Sequence, residues 1–488
     1  MSEREPEHEN IGSDPIRWRI LAVLLTVIFM SLVSVSIVNV ALPSIQAALD
    51  ASQSDLQWVL SGYALTFGVI LVAAGRAGDI MGRGGIFILG VAIFTAASLA
   101  AGLAPDAKWL NAARFVQGVG SGLLNPQGLG MIQQYFRGAE RGRAFGLFGT
   151  TVGFSVAIGP VLGGFLIQIG GVDLGWRLTF LLNVPIGVLA IVLALVWFPK
   201  PLISFKHVHA RNRPGQHKPG LASLDPVGSV LLGLAVLFIL FPFVEARTAA
   251  LTWLLLPLGL LLVYVWLRWE RYYKRTGRSP MVDLNIFSTR SFSNGALIMT
   301  LYFMGMTSIW VLVALYIQEG LGRSALQSGL IVVPPSLASA YAANWAGQRV
   351  MRYGRKLIVG GILCALLGLA LSVGVIFLHG AALVSVWWLM LTLALIGVAQ
   401  GTVISPNQTL TLHDVPLDYA GSSGAIMETG QRVGTSVGIA VITAAAFVTF
   451  SYTSWPVAVA VGFGLIGFMM LLALWVAIVD LRQRAASA

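Results

Sequence analysis

Long apolar runs alternate with short polar ones along the whole chain. Runs of about 20 residues, long enough to cross a hydrocarbon core as helix, recur at roughly 20–43, 55–75, 85–104, 109–135, 144–168, 176–198, 226–244, 251–267, 292–318, 326–348, 357–378, 386–411, 421–448 and 456–479. The apolar and polar dyads of a membrane barrel are missing, so the pattern predicts fourteen transmembrane helices. The first run exceeds the core of a signal peptide and lacks a cleavage site, and it is expected to stay as an anchor.

The fifth run contains GTTVGFSVAIGPVLGG, from Gly149 to Gly164. On a helix Gly149, Gly153, Pro160 and Gly164 share a face that a second helix can approach closely. Pro43, Pro126, Pro160, Pro334, Pro335 and Pro406 lie within or at the ends of runs, where kinks either assist gating or are merely tolerated in lipid.

The polar segments divide the chain. A tail (1–19) precedes a first six-helix set (20–198), and a Pro-, Gly- and base-rich linker (199–224) follows it. Two Leu-rich runs (225–267), nearly free of internal polar residues, read as peripheral lipid-facing helices. A connector (268–291), a second six-helix set (292–480) and a short tail (481–488) complete the chain. Residues 1–16 carry Glu3, Glu5, Glu7 and Glu9 without an apolar period and are expected to be disordered. A repeat relates the two sets. GRAGDIMGRGG places Gly75 and Gly82 seven apart with Arg83 next, and GQRVMRYGRK does the same with Gly347, Gly354 and Arg355, Met351 standing where the first copy has Asp79. Such halves pack as pseudosymmetric bundles around a central cavity.

Composition excludes a soluble globular protein. Of 488 residues 57% are hydrophobic and 10% charged, with a mean hydropathy of +0.81, whereas soluble domains carry about 25% charged residues. The net charge of +11 first suggests nucleic acid, but its distribution points to a membrane. With the N-terminus inside, most basic residues fall in inside segments, and the outside loops hold only Lys108, Arg247 and Arg323. The positive-inside rule then predicts both termini in the cytoplasm, and anionic headgroups account for the excess without nucleic acid.

Candidate chemistry is sparse. Cys364 is the single cysteine, so no internal disulfide forms. His207, His209 and His217 in the linker lack accompanying cysteines or carboxylates and read as solvated rather than as metal ligands. His379 and His413, near run ends, read as interfacial. No GxxxxGK[ST], HExxH, paired-cysteine or Ser/His/Asp arrangement occurs, which argues against an ATP-driven pump or an enzyme, and no cofactor or metal is expected.

Several segments carry a family resemblance. Gly75, Asp79, Gly82 and Arg83 resemble the hallmark loop between the second and third spans of the major facilitator superfamily. Arg114, Gln117 and Gly118 resemble its fourth-span motif, and Gly159, Pro160, Gly163 and Gly164, with Gly153 before them, resemble the fifth-span signature of its exporters. With WRLTFLLNVPIG (Trp176 to Gly187) and the two extra central runs, the chain resembles the fourteen-span drug:proton antiporter family. That resemblance implies an all-α membrane fold of two pseudosymmetric six-helix bundles plus two inserted helices. It also implies a monomer in the cytoplasmic membrane that exports small lipophilic or cationic compounds by alternating access, coupled to protons. Two positions depart from the pattern. Ser155 replaces a leading glycine, and Ser34 stands where an acid precedes the Asn-Val-Ala-Leu-Pro segment of the first span. Ser34 removes a proton or cation site and keeps a second reading open, an exporter or flippase for a lipid or endogenous metabolite with weak or no proton coupling.

Ionised side chains at the bilayer centre cost at least about 2.5–3.5 kcal/mol, so each requires a reason. Glu428 and Arg432 lie four apart on the thirteenth run, as a structural ion pair or as a proton carrier and its modulator. By resemblance Arg114 assists proton transfer, with no partner identified, and Asp79 and Arg83 form a gate in which the carboxylate meets the N-terminus of a helix from the other half. Asn39, Tyr63, Asn125, Gln127, Trp310, Tyr316, Asn407 and Gln408 are the candidates for the cavity lining. Their mixture of aromatic and polar surface suits lipophilic, weakly charged compounds, and the same residues could serve as hydrogen-bonding glue between helices.

Overall fold

The structure is a computed structural model that describes residues 15–203, 224–244, 250–278 and 280–485. The N-terminal tail before Pro15 and the linker histidines His207, His209 and His217 lie outside the described residues.

Fourteen α-helices form among the described residues. They are α1 (Ile16–Leu49), α2 (Gln53–Met81), α3 (Arg83–Gly102), α4 (Ala107–Tyr135), α5 (Gly138–Leu181), α6 (Asn183–Trp197) and α7 (Pro226–Val244). The second group is α8 (Leu255–Arg275), α9 (Arg290–Leu315), α10 (Ala325–Tyr353), α11 (Arg355–Gly380), α12 (Leu389–Thr411), α13 (Ala420–Tyr452) and α14 (Trp455–Ala485). Among the described residues eleven stretches are long and apolar enough to cross a membrane. One of them, Gly138–Trp197, contains both α5 and α6, while α4 and α10, interrupted by Asn, Gln and Arg, do not qualify by hydropathy.

Local chemistry sets the helix ends. Ser52 and Asp55 form a capping box at the start of α2, Ser324 and Gln327 form one at the start of α10, and the Asp106 side chain accepts from Trp109 N at the start of α4. Between α2 and α3 the chain turns at Gly82, whose φ of 103° favours glycine.

The boundary between the fifth and sixth runs differs from the expected start near residue 176. The direction changes at Gly171 (φ 66°, ψ −166°), and residues 172–181 are already helical. A slight break at Leu182 precedes α6, where Pro185 offers no N–H to continue the ladder.

The first and second helix sets meet along α5 with α10 and α12, and along α13 with α2 and α4. The pair α7 and α8 lies outside this seam, with α7 packed on α2 and α13. Leu258, Leu260, Leu261, Tyr264 and Val265 of α8 are exposed, the surface expected of a helix against lipid.

The small residues of α5 serve two contacts. A Cβ on Gly153 would come 3.0 Å from Ala340 N and 3.1 Å from Ser336 O of α10, and one on Gly149 would lie 2.8 Å from Ala343 Cβ. Farther along, Gly163 faces Ile37 of α1 and Gly159 faces Ser36. Pro160 is half-buried. Gly164, expected on the same contact face, meets nothing within 4 Å, because one residue beyond Gly163 the helix has turned by about 100° away from α1.

Candidate functional site at the seam between the helix sets

At one end of the seam a carboxylate fastens the two sets together. Asp79, in the last turn of α2, accepts from Gly421 N at 2.8 Å and from both Ser422 N and Ser422 Oγ at 2.9 Å. These are first-turn donors of α13, so a side chain from the opposite set satisfies groups the helix cannot satisfy itself, where its dipole favours a negative charge. Arg83 completes the joint. Its Nη2 donates to Asp79 Oδ1 at 2.8 Å and to Leu417 O at 2.6 Å, and its Nη1 donates to Gln134 Oε1 at 2.6 Å. Gly75 permits the approach, since a Cβ there would lie 2.6 Å from Gly421 O. Gln133 Nε2 adds bonds to Leu412 O (2.7 Å) and Val415 O (3.1 Å) at the same end. Of the four motif residues, Gly75, Asp79 and Arg83 meet the N-terminal end of α13, and Gly82 makes the turn between α2 and α3.

The second copy of the loop is built differently. Met351, in the place of Asp79, is exposed. Arg355 instead pairs with Asp480 of α14 (Nε to Oδ2, 2.6 Å), donates to Asn407 Oδ1, and donates from Nη2 to Ser291 O at 3.1 Å. Asp480 also accepts from Asn294 Nδ2 at 2.8 Å. This joint stays within the second set.

Farther into the seam lie Glu428 and Arg432. Gly421 and Ala425 of α13 face Gly75, Gly424 faces Leu129 of α4, and the Arg432 guanidinium sits 4.2 Å from the Phe67 ring centroid of α2. Glu428 follows Gly424 and precedes Arg432 by four residues, so it lies on the face that α13 turns toward the first set. Both residues are half-buried. Among the described residues Glu428 and Arg432 are not in salt-bridge contact, although each charge acts on the other; the guanidinium is on Phe67, and the Glu428 Oε2 atom is buried without a hydrogen-bond partner.

Arg114 has partners of another kind. Its Nε donates to Val59 O at 2.8 Å, its Nη1 to Gln117 Oε1 at 2.6 Å, and its Cζ lies 4.4 Å from the Tyr63 ring centroid. Gln117 Nε2 passes the network on to Ser98 Oγ at 2.7 Å and Ser34 Oγ at 3.3 Å, and Asn183 Nδ2 donates to Ser34 Oγ at 3.4 Å. Two amide donors therefore converge on the serine that replaces the expected acid. A carbonyl, an amide oxygen and an aromatic face solvate the arginine without a carboxylate.

The cavity candidates separate by environment. Asn125 and Trp310 are half-buried and Asn39 is exposed. Tyr63 is buried, with its hydroxyl 2.6 Å from Ser121 Oγ and 3.3 Å from Ser31 Oγ. Gln127 donates to Ala74 O at 2.8 Å and so bridges α4 to α2, while Asn407 joins Arg355 and donates to Gly295 O at 2.8 Å. Gln408 and Tyr316 are buried. Gln127 and Asn407 thus each hydrogen-bond across to a neighbouring helix.

Residues 24–439 match the family model described as Major Facilitator Superfamily. The chain belongs to the major facilitator superfamily. It is a multi-pass membrane transporter, of a family and fold that move small molecules and are not enzymes. A probable actinorhodin transporter of Streptomyces coelicolor is 33% identical over 443 residues, covering 90% of this chain and 74% of the relative. The tetracenomycin C resistance and export protein of Streptomyces glaucescens is 31% identical over 431 residues, covering 87% of this chain and 74% of the relative. A proton:xylose symporter structure superposes with a TM-score of 0.65 at 14% identity, covering 94% of each chain, which shows the shared fold.

Sequence reasoning missed part of this transporter's architecture. Asp225 and Glu270 are both buried where α7 meets α8, with Trp269 Nε1 donating to Asp225 Oδ1 at 2.9 Å. Nearby elements carry Arg76 of α2, fully buried, its Cζ 5.7 Å from the Tyr419 ring centroid. Asp225 and Glu270 each sit near the end of an apolar run, a position that carries no signal of burial. Their distance from one another in the chain hides the pairing of the helices that carry them.

Proposed function

We propose that this major facilitator protein is a secondary active exporter of the drug:proton antiporter type. It crosses the cell membrane fourteen times with both termini in the cytoplasm, and it moves small lipophilic compounds outward by alternating access. The two six-helix sets are its rocking bodies, 20–198 and 292–480, with α7 and α8 as inserted helices. The base-rich segments support this orientation through the positive-inside rule, and the tetracenomycin C resistance and export relative supports the outward direction.

Glu428 is the proton-coupling group in this reading. The observation that carries it is a carboxylate on α13 whose Oε2 atom is buried without a hydrogen-bond partner, on the helix whose N-terminus Asp79 holds. Seven residues separate Gly421 from Glu428, about 10 Å along the axis. A change in the charge of Glu428 therefore acts on the same helix whose N-terminal end Asp79 holds. When the carboxylate is neutral it rests in the closed seam at lower cost, and when ionised it favours a state that admits water. Transport into everted vesicles with and without a proton gradient, for wild type and Glu428→Gln, tests the assignment.

The second reading is an exporter of a lipid or endogenous metabolite with weak proton coupling. Ser34 favours it, because the first span then lacks an acid to share the proton traffic. Accumulation of such a compound in a deletion strain, with unchanged drug susceptibility, distinguishes it.

A further inference from the structure

Four side chains form a ladder across the seam. Arg114 stands over Tyr63, with its Cζ 4.4 Å from the ring centroid. Tyr63 stacks on Phe67, one helical turn away on α2, with centroids 6.1 Å apart and planes inclined by 12°. Arg432 of α13 lies 4.2 Å from the Phe67 centroid. Two guanidinium groups thus cap the ends of one aromatic stack, one from each helix set. Among the described residues neither forms an ion pair.

The charge at this site is unbalanced. The only carboxylate on the same face of α13 is Glu428, and it makes no ion pair with Arg432. At the Arg114 end the expected acid is Ser34, held by two amide groups. Arg114 spends its donors on Val59 O and Gln117 Oε1, whereas no hydrogen bond to Arg432 forms among the described residues. Arg432 is half-buried, and a guanidinium with one face on a ring still offers five N–H donors at its edge and a second face for stacking. That combination suits a planar ligand with a negative group.

We propose that the substrate class is aromatic organic anions, recognised by Arg432 on its Phe67 platform with Arg114 supplying the second positive charge. The inference rests on the exporter reading and names the substrate class of that same seam. The anionic group accepts from the edge of Arg432, and the flat apolar body stacks beside it. An inside-negative membrane potential already drives an anion outward, so an exporter of this class does not depend on an acid at position 34.

The test compares two dyes that share a xanthene core, fluorescein as the anion and rhodamine 6G as the cation, in everted membrane vesicles holding the full chain. Wild type is expected to accumulate fluorescein about tenfold faster than rhodamine 6G, the discrimination of a desolvated charge contact. A lumen-positive potential set with potassium and valinomycin is expected to raise fluorescein accumulation further. Arg432→Gln is expected to raise the fluorescein KM about tenfold while purifying as a monodisperse protein, and Arg432→Lys, which keeps the charge but loses the planar fork, is expected to fall between them. Faster uptake of rhodamine 6G than of fluorescein overturns the anion assignment and leaves the exporter reading standing. An unchanged fluorescein KM in folded Arg432→Gln also overturns it. Transport of neither dye overturns it as well, and the exporter reading falls with it only when neutral lipophilic drugs are also left unmoved.

Discussion

Asp79 and Ser422 are joined by two hydrogen bonds of 2.9 Å, one to the backbone N–H and one to the hydroxyl, so a single carboxylate spans the seam between the helix sets. Hydrogen bonds to a charged group contribute about 1.5–3 kcal/mol each, and 1.4 kcal/mol is a factor of ten in population. Asp79→Asn removes the charge while keeping the shape. In a Cys364→Ala background with spin labels at positions 137 and 413, the variant is expected to show a new, longer distance with at least about tenfold more population than wild type. An unchanged distance distribution contradicts the latch.

Gly75→Ala tests the close approach that the latch needs. The added Cβ would sit 2.6 Å from Gly421 O and 3.0 Å from Ala425 Cβ, and the nearer contact is helix backbone, which leaves little room to yield. Closure of this end should fail while each helix set stays folded. Expected is a transport rate lowered about tenfold or more with a thermal midpoint within a few degrees of wild type. Equal transport by the variant shows that the contact is not needed in the cycle.

The sequence carried the fold because lipid imposes one rule on every span, a long apolar helix, and periodicity reports that directly. The joint of Asp79 with the start of α13 was expected only through the family resemblance of Gly75, Asp79, Gly82 and Arg83, since local spacing does not say which distant helix meets the loop. Pairings between distant helices were less legible. The Arg432 contact with Phe67, the Arg355 pair with Asp480 and the burial of Asp225 beside Trp269 depend on which helices become neighbours. A helical period gives the face of a residue but not what lies opposite. The four-residue spacing of Glu428 and Arg432 allowed an intrahelical pair or a proton carrier with its modulator, and it could not show that Phe67 of α2 lies under the guanidinium.

Arg355 and Asp480 form a buried pair that substitutes for the acid missing at Met351. Removing one partner leaves an uncompensated buried charge, at a cost of about 3–5 kcal/mol. Asp480→Ala is therefore expected to lower the thermal unfolding midpoint of purified protein by several degrees, and Asp480→Ala with Arg355→Met is expected to recover part of the loss. A midpoint unchanged in the single variant contradicts the structural role of the pair.

Ser34→Asp places an acid where Gln117 and Asn183 already present donors. A carboxylate in that cradle, in the same network as Arg114, adds a second protonatable site to the cycle. Proton release per substrate molecule in proteoliposomes is expected to rise by about one relative to wild type. An unchanged ratio shows that the position no longer communicates with the transport path.

Glu428 is proposed to couple the Asp79 joint to protons. The most direct test is initial uptake into everted vesicles with the membrane potential clamped to zero by potassium and valinomycin, with and without an acidic lumen, for wild type and Glu428→Gln. Wild-type uptake should rise about tenfold with the gradient, and Glu428→Gln should transport at one rate in both conditions. Gradient-stimulated uptake that persists in Glu428→Gln contradicts the account.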